Sequence, residues 1–161
     1  MATWRDLVEQ RPDLAHAGRQ LLYQFGVGLG FLATVRPDGG PRTHPMCPII
    51  HDDRLLAFIV PSPKLEDLRR DGRYALHCFP PADDEDAFYV TGRATERHDP
   101  HLREAVAEQF VAERVIVAVD PPGDDQALVE LDIDTVLLTR TTGHGDPDPQ
   151  HTVWKAAAPT P

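Results

Sequence analysis

Three consecutive residues, Ser62, Pro63 and Lys64, follow an apolar run and open a stretch with helical character. Serine is a preferred N-cap, and proline suits the first helical position because an amide hydrogen is not needed there. The free amides of a first turn and the positive end of the helix dipole attract anions, and the Lys64 ammonium adds a full charge. The pattern predicts a phosphate-binding helix N-terminus. An ordinary capped surface helix with a solvated Lys64 is the alternative.

The charge of the chain is negative overall but unevenly distributed. The 161 residues carry a formal net charge of −10, and residues 81–161 contain 17 of the 26 acidic side chains. Nucleic acids and anionic membranes require clustered positive charge, so neither is expected as a partner. Residues 31–80 are close to neutral, and they include five cationic side chains that could hold a small anion: Arg42, Lys64, Arg69, Arg70 and Arg73.

The composition indicates one domain, and residues 1–161 are interpreted as a single unit. The chain begins without an apolar signal segment and has no run long enough to cross a bilayer, so a cytoplasmic location is expected. Cys47 and Cys78 form no Cys-x-x-Cys pair and are expected to be buried free thiols. None of the eight histidines has a spacing typical of zinc ligands, so no metal is expected.

Periodicity indicates which elements position these residues. Residues 1–29 are predicted to be a helical segment, in which Thr3 and Asp6 form a capping box and Pro12 interrupts or restarts the helix. A second helix follows and is predicted to end at Gly26. Its apolar stripe consists of Leu14, Ala17, Leu21, Leu22 and Phe25.

From residue 31 the sequence changes to short β-rich runs separated by turn residues. Asp38-Gly39 is typical of a hairpin turn, and Asp99-Pro100 is typical of a helix N-terminus. Residues 114–119 fit either a strand or the end of that helix, and residues 141–161 are interpreted as a loop, a C-terminal strand and a tail. Strands are predicted at residues 31–36, 42–50, 55–60, 74–79, 88–95, 128–133, 135–139 and 152–154.

The connections between the strands favour an antiparallel sheet. Tight turns join the first three predicted strands, whereas neighbouring parallel strands need long crossover connections. Many short antiparallel strands around an apolar interior, with helices at the edges, indicate a mainly β, α+β fold built on a closed or nearly closed barrel.

Six segments follow one another in a characteristic order and spacing: GFLATVRPDG at 30–39, PRTHPM at 41–46, FIVPSPK at 58–64, LRRD at 68–71, YVTGRA at 89–94 and TVWK at 152–155. By this order and spacing the chain resembles the pyridoxamine 5′-phosphate oxidase-like superfamily of flavin-binding split barrels. The resemblance implies a six-stranded antiparallel Greek-key split β-barrel with flanking helices, paired as a homodimer. It also implies that FMN, or the related deazaflavin F420, binds in a groove between the subunits.

The resemblance also implies roles for individual residues. Lys64 would contact the cofactor phosphate with Ser62 and Arg42 close by, main-chain groups of two strands would face the flavin ring, and Trp154 of the partner subunit would cover its edge. No residue is expected to act as catalytic acid or base, because the flavin ring carries the hydride. The expected cofactor-binding residues are Arg42, Thr43, His44, Pro45, Met46, Phe58, Ile59, Ser62, Lys64 and Trp154.

The implied activity is hydride transfer between FMN or F420 and a small organic substrate. The authentic oxidase has an Arg-x-His after its terminal aromatic residue, whereas Lys155 and a run of alanines follow Trp154, so pyridoxamine phosphate oxidation is not expected. Two polar flavin contacts of that enzyme are also missing near Pro48 and Ala87. A non-catalytic protein that binds or sequesters flavin or haem, and a dimerising barrel without cofactor, are the alternatives.

Overall fold

The protein was analysed as a computed structural model that describes residues 1–114 and 119–157. Most of the ambiguous predicted segment 114–119 therefore lies outside the described residues. The helices and strands, in chain order, are α1 (Trp4–Gln10), α2 (Pro12–Leu22), β1 (Gly30–Val35), β2 (Pro41–Met46), β3 (Ile49–His51), β4 (Arg54–Ile59), α3 (Pro63–Arg70), β5 (Arg73–Cys78), β6 (Ala87–Arg97), α4 (Pro100–Ala112), β7 (Ala127–Arg140) and β8 (Gln150–Lys155).

The eight strands form one antiparallel sheet in the order β2-β1-β5-β6-β7-β4-β3, with β8 also paired to β7. One edge of β7 pairs with β6 along almost its whole length, while the other edge pairs first with β4 and then with β8. The predicted mainly β, α+β fold is confirmed. The eight strands exceed the six of the expected barrel, and within the described ranges the sheet stays open, with β2 and β3 as its ends.

The prediction of one continuous strand over residues 42–50 is wrong. β2 ends at Met46 and β3 begins at Ile49. Pro48, which lies between them, has no amide hydrogen to donate to a strand partner, so the hydrogen-bonded ladder stops there.

Residues 128–133 and 135–139 were predicted as two strands, but they belong to the single strand β7. Ile133 pairs with Gly92 and Thr135 pairs with Thr91, so Asp134 is left over as a β-bulge. A Cβ atom on Gly92 would lie 1.8 Å from the carbonyl oxygen of Asp132. Glycine at position 92 is therefore what allows the two strands to stay paired at the bulge.

The N-terminal helices follow the sequence prediction closely. The Thr3–Asp6 capping box is present, and Pro12 starts α2 directly after α1 ends. The predicted stripe is buried up to Leu22, where α2 ends. Its last member, Phe25, was predicted wrongly: it lies beyond the helix, is 56% exposed and contacts Phe79 edge to face.

The sheet has two faces because side chains alternate along each strand. One face belongs to the main core under the first helices, where α2 lies so close that a Cβ on Gly18 would reach within 2.3 Å of the Phe88 ring. On the other face, α4 packs against β3, β4 and the beginning of β7. The rest of that face, here called the open face, keeps half-exposed side chains: Phe31, Ala33, Val35, Ala75, Tyr89 and Leu137.

Candidate functional site

The N-terminus of α3 is built as the sequence predicts. Ser62 is the N-cap and Pro63 is the first helical residue. The Ser62 Oγ accepts a hydrogen bond from the Leu65 amide at 3.4 Å and donates one to the Val60 carbonyl oxygen at 2.8 Å. The hydroxyl is thus engaged on both sides, and Ser62 shapes the helix end through its cap.

The first turn of α3 leaves one amide group available. Pro63 has no amide hydrogen, the Leu65 amide is directed to Ser62 Oγ, and the Glu66 amide donates to the Ser62 carbonyl oxygen at 3.1 Å. The Lys64 amide makes no hydrogen bond to any residue in the described ranges. An anion at this helix end would therefore meet a single amide together with the Lys64 side chain.

The Lys64 side chain is a half-buried cation. Burial lowers the pKa of its ammonium group, an effect that the nearby Cys47 partly opposes. Within residues 1–114 and 119–157, no carboxylate lies close enough to form an ion pair with it. A partly desolvated ammonium without a counter-ion is a favourable place for an anionic ligand.

A second cation, Arg42, is held against the same helix. The Nε of Arg42 donates to Oδ2 of Asp67 at 2.7 Å, while its two terminal nitrogens make no hydrogen bond in the described part of the chain. Asp67 and Lys64 are three residues apart and so lie on the same side of α3. The contact with Asp67 thereby brings Arg42 to the side of the helix that carries Lys64.

Asp67 is the buried centre of this arrangement, with only 2% of its surface exposed. Thr34 Oγ1 donates to its Oδ2 at 3.0 Å, and Arg70 Nη1 donates to its Oδ1 at 3.2 Å. Burial alone would raise the pKa of Asp67, but the hydrogen bonds from Arg42, Thr34 and Arg70 outweigh it and lower the pKa. The carboxylate is therefore held in its charged form.

Sequence reasoning missed Asp67, although a signal was present. The residue lies between Leu65 and Leu68, both of which are buried on α3. A carboxylate in such a position requires cationic or hydrogen-bonding partners. The spacing cannot name those partners, because Thr34 and Arg42 belong to strands far away in the chain.

The remaining predicted residues of β2 differ in exposure. Thr43, His44 and Pro45 are exposed, whereas the Met46 side chain is buried in the main core. β2 is an edge strand that pairs only with β1 in the described structure. Its outer backbone edge is therefore available to a ligand, while Met46 can contribute only main-chain groups.

The side chains of Phe58 and Ile59 have other contacts. Phe58 packs edge to face against Phe110 and beneath the Arg103 guanidinium, and Ile59 is 1% exposed in the main core. Beyond Leu56, β3 no longer pairs with β4, so the backbone edge of residues 57–59 on that side has no strand partner in the described ranges. The contact of these two residues with a flavin ring through main-chain groups, which the resemblance implies, stays a prediction.

Trp154 lies in β8, where it pairs with Val136 and packs against the main core of its own chain. Its expected contact with a cofactor of the partner subunit stays a prediction. A hydrogen bond joins Arg42 to α3, the helix that carries Lys64. No hydrogen bond in the described ranges joins the Trp154 side chain to Arg42 or to α3.

Residues 1–114 and 119–157 contain no group of three or more histidine, cysteine or acidic side chains arranged to share a metal ion. No helix in these ranges is long and apolar enough to cross a membrane. Both cysteines are free thiols, but Cys47 is only half-buried, in the loop between β2 and β3.

Three solved structures resemble this chain over most of its length. A heme binding protein from Mycobacterium smegmatis has a TM-score of 0.63 and 15% identity, covering 84% of this chain and 57% of its own. General Stress Protein 26 from Bacillus anthracis str. Sterne has a TM-score of 0.59 and 22% identity, covering 76% of this chain and 91% of its own. An F420 reductase has a TM-score of 0.57 and 20% identity, covering 73% of this chain and 94% of its own. This chain thus spans little more than half of the first of them.

These similarities show a shared split-barrel fold and, at such low identity, no more than that. No curated protein sequence matches the chain. A family model described as pyridoxamine 5′-phosphate oxidase matches residues 21–140, which is most of the chain and includes β1 to β7. The chain belongs to the pyridoxamine 5′-phosphate oxidase family.

Proposed function

We propose that the chain binds the phosphate of a flavin-type cofactor, FMN or F420, between α3 and β2, and that it transfers hydride between this cofactor and a small organic substrate. The observation that carries the proposal is the half-buried Lys64 ammonium, which has no carboxylate partner among the described residues. The terminal nitrogens of Arg42 add a second cation on the same side of α3. Family membership adds independent support.

The residues present fit such a cofactor. A guanidinium fork and an ammonium are the two side-chain groups best suited to phosphate, and the unused Lys64 amide adds a hydrogen-bond donor. The bound cofactor would supply the hydride chemistry. The exposed edge of β2 and the unpaired edge of β4 would hold and orient its ring through main-chain groups.

We also propose that the functional unit is a homodimer that pairs through the open face. Apolar side chains of four neighbouring strands, β1, β5, β6 and β7, are half-exposed there, and Val153 of β8 is 52% exposed. A concave region of about 380 Å³ on this face is lined by residues such as Ala33, Tyr89 and Thr91. Covering such a surface with a second copy removes apolar area from water, and it would place the cofactor groove beside a partner subunit.

The cofactor proposal is tested by fluorescence titration of the purified protein with FMN and, separately, with F420. Saturable binding of either one is the expected result. Lys64→Ala should weaken that binding by about 1 to 3 kcal/mol, which is the range for a charge-assisted hydrogen bond. Stopped-flow reduction of the bound cofactor, followed by reoxidation with organic acceptors, then tests hydride transfer.

The chain offers a matched control, because Lys155 is its only other lysine. Lys155 is exposed and lies on β8 opposite Thr135. Lys155→Ala removes the same charge and should leave cofactor affinity unchanged. Equal affinities of wild type and Lys64→Ala would overturn the phosphate site, and a cofactor that binds without ever being turned over would overturn the catalytic part.

Haem binding on the open face is a second candidate, favoured by one observation. His77 is exposed beside Phe31 and Tyr89, and its Nδ1 lies 2.6 Å from the Cys78 carbonyl oxygen, leaving Nε2 without a described partner. Titration with hemin should then give a Soret band that His77→Ala abolishes. Dimerisation would cover this face, so haem binding predicts a monomer and the flavin proposal predicts a dimer.

A further inference from the structure

We infer that Asp67 is the positioning residue of the phosphate site: its buried carboxylate holds Arg42 by Nε, which leaves both terminal nitrogens of the guanidinium for the ligand. The inference rests on the proposed phosphate site and assigns a role to a residue that need not touch the cofactor. Three hydrogen bonds fix the carboxylate itself, from Arg42, Thr34 and Arg70.

The way in which Arg42 is bound supports this role. A carboxylate that served only as a counter-ion could take the guanidinium by two nitrogens at once, as Glu130 does with Arg54 through Nε and Nη2, although Glu130 takes its other arginine, Arg97, by Nε alone. Asp67 takes only the Nε of Arg42, at 2.7 Å. Its Oδ1 accepts from Arg70, whose other terminal nitrogen is anchored on the Val35 carbonyl oxygen.

The fixed orientation matters because Arg42 is flexible by nature. An arginine on an edge strand would lose considerable rotamer freedom on binding a ligand. The Arg42 side chain is already three-quarters buried, and its Nε is tied to a carboxylate that is 2% exposed. The cost of ordering this side chain is therefore met by folding and not by cofactor binding.

A purely electrostatic role and a positioning role of Asp67 predict opposite changes in phosphate affinity when the residue is replaced. A negative charge near a phosphate repels it, so removal of that charge alone should tighten phosphate binding. If Asp67 instead acts by orienting Arg42, its removal should weaken binding. The sign of the change therefore distinguishes a positioning residue from a mere neighbouring charge.

The experiment measures dissociation constants of FMN and riboflavin by flavin fluorescence in wild type, Asp67→Leu and Glu66→Leu. The two flavins differ only in the phosphate, so the ratio of their dissociation constants isolates the phosphate site from general folding effects. Glu66 is the matched control, since it is an exposed acidic neighbour on α3 that pairs with Arg69. We expect Asp67→Leu to reduce the preference for FMN about tenfold, and Glu66→Leu to leave it unchanged or slightly increased.

Thr34→Val gives a milder second variant in case Asp67→Leu does not fold. It removes one hydrogen bond to the carboxylate at constant shape and without a change in charge, and about a twofold to fivefold loss of FMN preference is expected. In an Arg42→Ala background, neither substitution should reduce the preference further, because Asp67 and Thr34 position the phosphate site through Arg42; removal of the Asp67 charge should then leave the preference unchanged or increase it.

Each outcome has a distinct meaning. A wild-type protein that binds FMN and riboflavin equally well overturns the phosphate site itself, and the inference falls with it. A wild type that prefers FMN, with Asp67→Leu binding FMN as tightly or more tightly, overturns the positioning role alone. If Asp67→Leu reduced the FMN preference as strongly in the Arg42→Ala background as in the wild type, the positioning role would also be overturned.

Discussion

Two buried carboxylates of this protein are each bonded to two arginines, but the clusters are built differently. Glu130 on β7 accepts from Arg54 at 2.9 and 2.5 Å, and from Nε of Arg97 at 2.7 Å. Burial alone would raise the pKa of Glu130, but the hydrogen bonds from Arg54 and Arg97 outweigh this effect, so the pKa is lowered. The guanidinium of Arg54 is used as a fork, while Arg97 donates only through Nε, as Arg42 does. This cluster is called closed because the ammonium without a carboxylate partner in the described ranges, Lys64, lies beside Asp67 and not beside Glu130.

The Asp67 cluster uses similar residues and remains open. Arg42 donates only through Nε, and Lys64 lies one helical turn away without a carboxylate partner in the described ranges. The pKa of Asp67 is lowered, as that of Glu130 is. The contrast shows that the arginines around a buried carboxylate do not by themselves indicate a binding site; the Lys64 ammonium, unpaired within the described ranges, is what favours the proposed site beside Asp67.

The largest expected effect is on the stability of the protein, and it distinguishes the Glu130 cluster from the Asp67 cluster. Glu130→Gln should lower the free energy of unfolding by about 3 kcal/mol, because it leaves two arginines without their buried counter-charge. It should not change the preference for FMN over riboflavin. Urea denaturation and flavin titration of the same preparation measure both quantities.

Glu96→Gln is the control for that prediction. Among the described residues Glu96 pairs only with the exposed Arg69, so its loss should cost less than about 1 kcal/mol. A change in FMN preference on Glu130→Gln would mean that the closed cluster also serves the ligand, and the contrast between the clusters would be lost.

A smaller effect is expected from paired arginine-to-lysine substitutions. Arg42→Lys should weaken FMN binding relative to riboflavin by about 1 to 2 kcal/mol, since a lysine lacks the planar guanidinium that binds Asp67 by Nε and keeps two terminal nitrogens for a phosphate. Arg54→Lys should leave this ratio unchanged and affect only stability. If the two variants behave alike towards FMN, Arg42 is not a ligand of the phosphate.

The smallest effect concerns alkaline pH. Burial lowers the pKa of Lys64 below its ordinary value of 10.5, so its charge is lost as the pH rises through that lowered value. The preference for FMN over riboflavin should therefore decline before pH 10.5 is reached, and ionisation of the flavin ring, which both ligands share, cancels in this ratio. Lys64→Arg, which remains charged throughout, should abolish the decline. If Lys64→Arg showed the same decline, a group other than Lys64 would be responsible for it.

The sequence predicts those parts of the site whose signals are local. The Ser62 cap, the proline after it and the Thr3–Asp6 capping box depend on residues within three positions of each other, and all were found in the structure. The hairpin at Asp38-Gly39 is local in the same sense, and it joins β1 to β2 as predicted. Such features follow from short-range hydrogen bonding and backbone preferences.

The parts that sequence reasoning missed depend on strand register. The bond between Arg42 and Asp67 joins residues 25 positions apart, and it forms only because β2 and β1 are paired with Arg42 opposite Thr34. The break of the strand at Pro48 could have been anticipated from its missing amide hydrogen. The exposure of Phe25 could not, because an apolar residue after a helix can either continue the buried stripe or turn outward.

The most direct test of the phosphate site is a parallel titration of the wild-type protein with FMN and riboflavin at one low ionic strength. If Lys64 and Arg42 hold a phosphate, FMN should bind at least about tenfold more tightly than riboflavin, and added salt should reduce the difference. Equal dissociation constants for the two flavins would contradict the account, and the open cluster around Asp67 would then be a structural feature like that around Glu130.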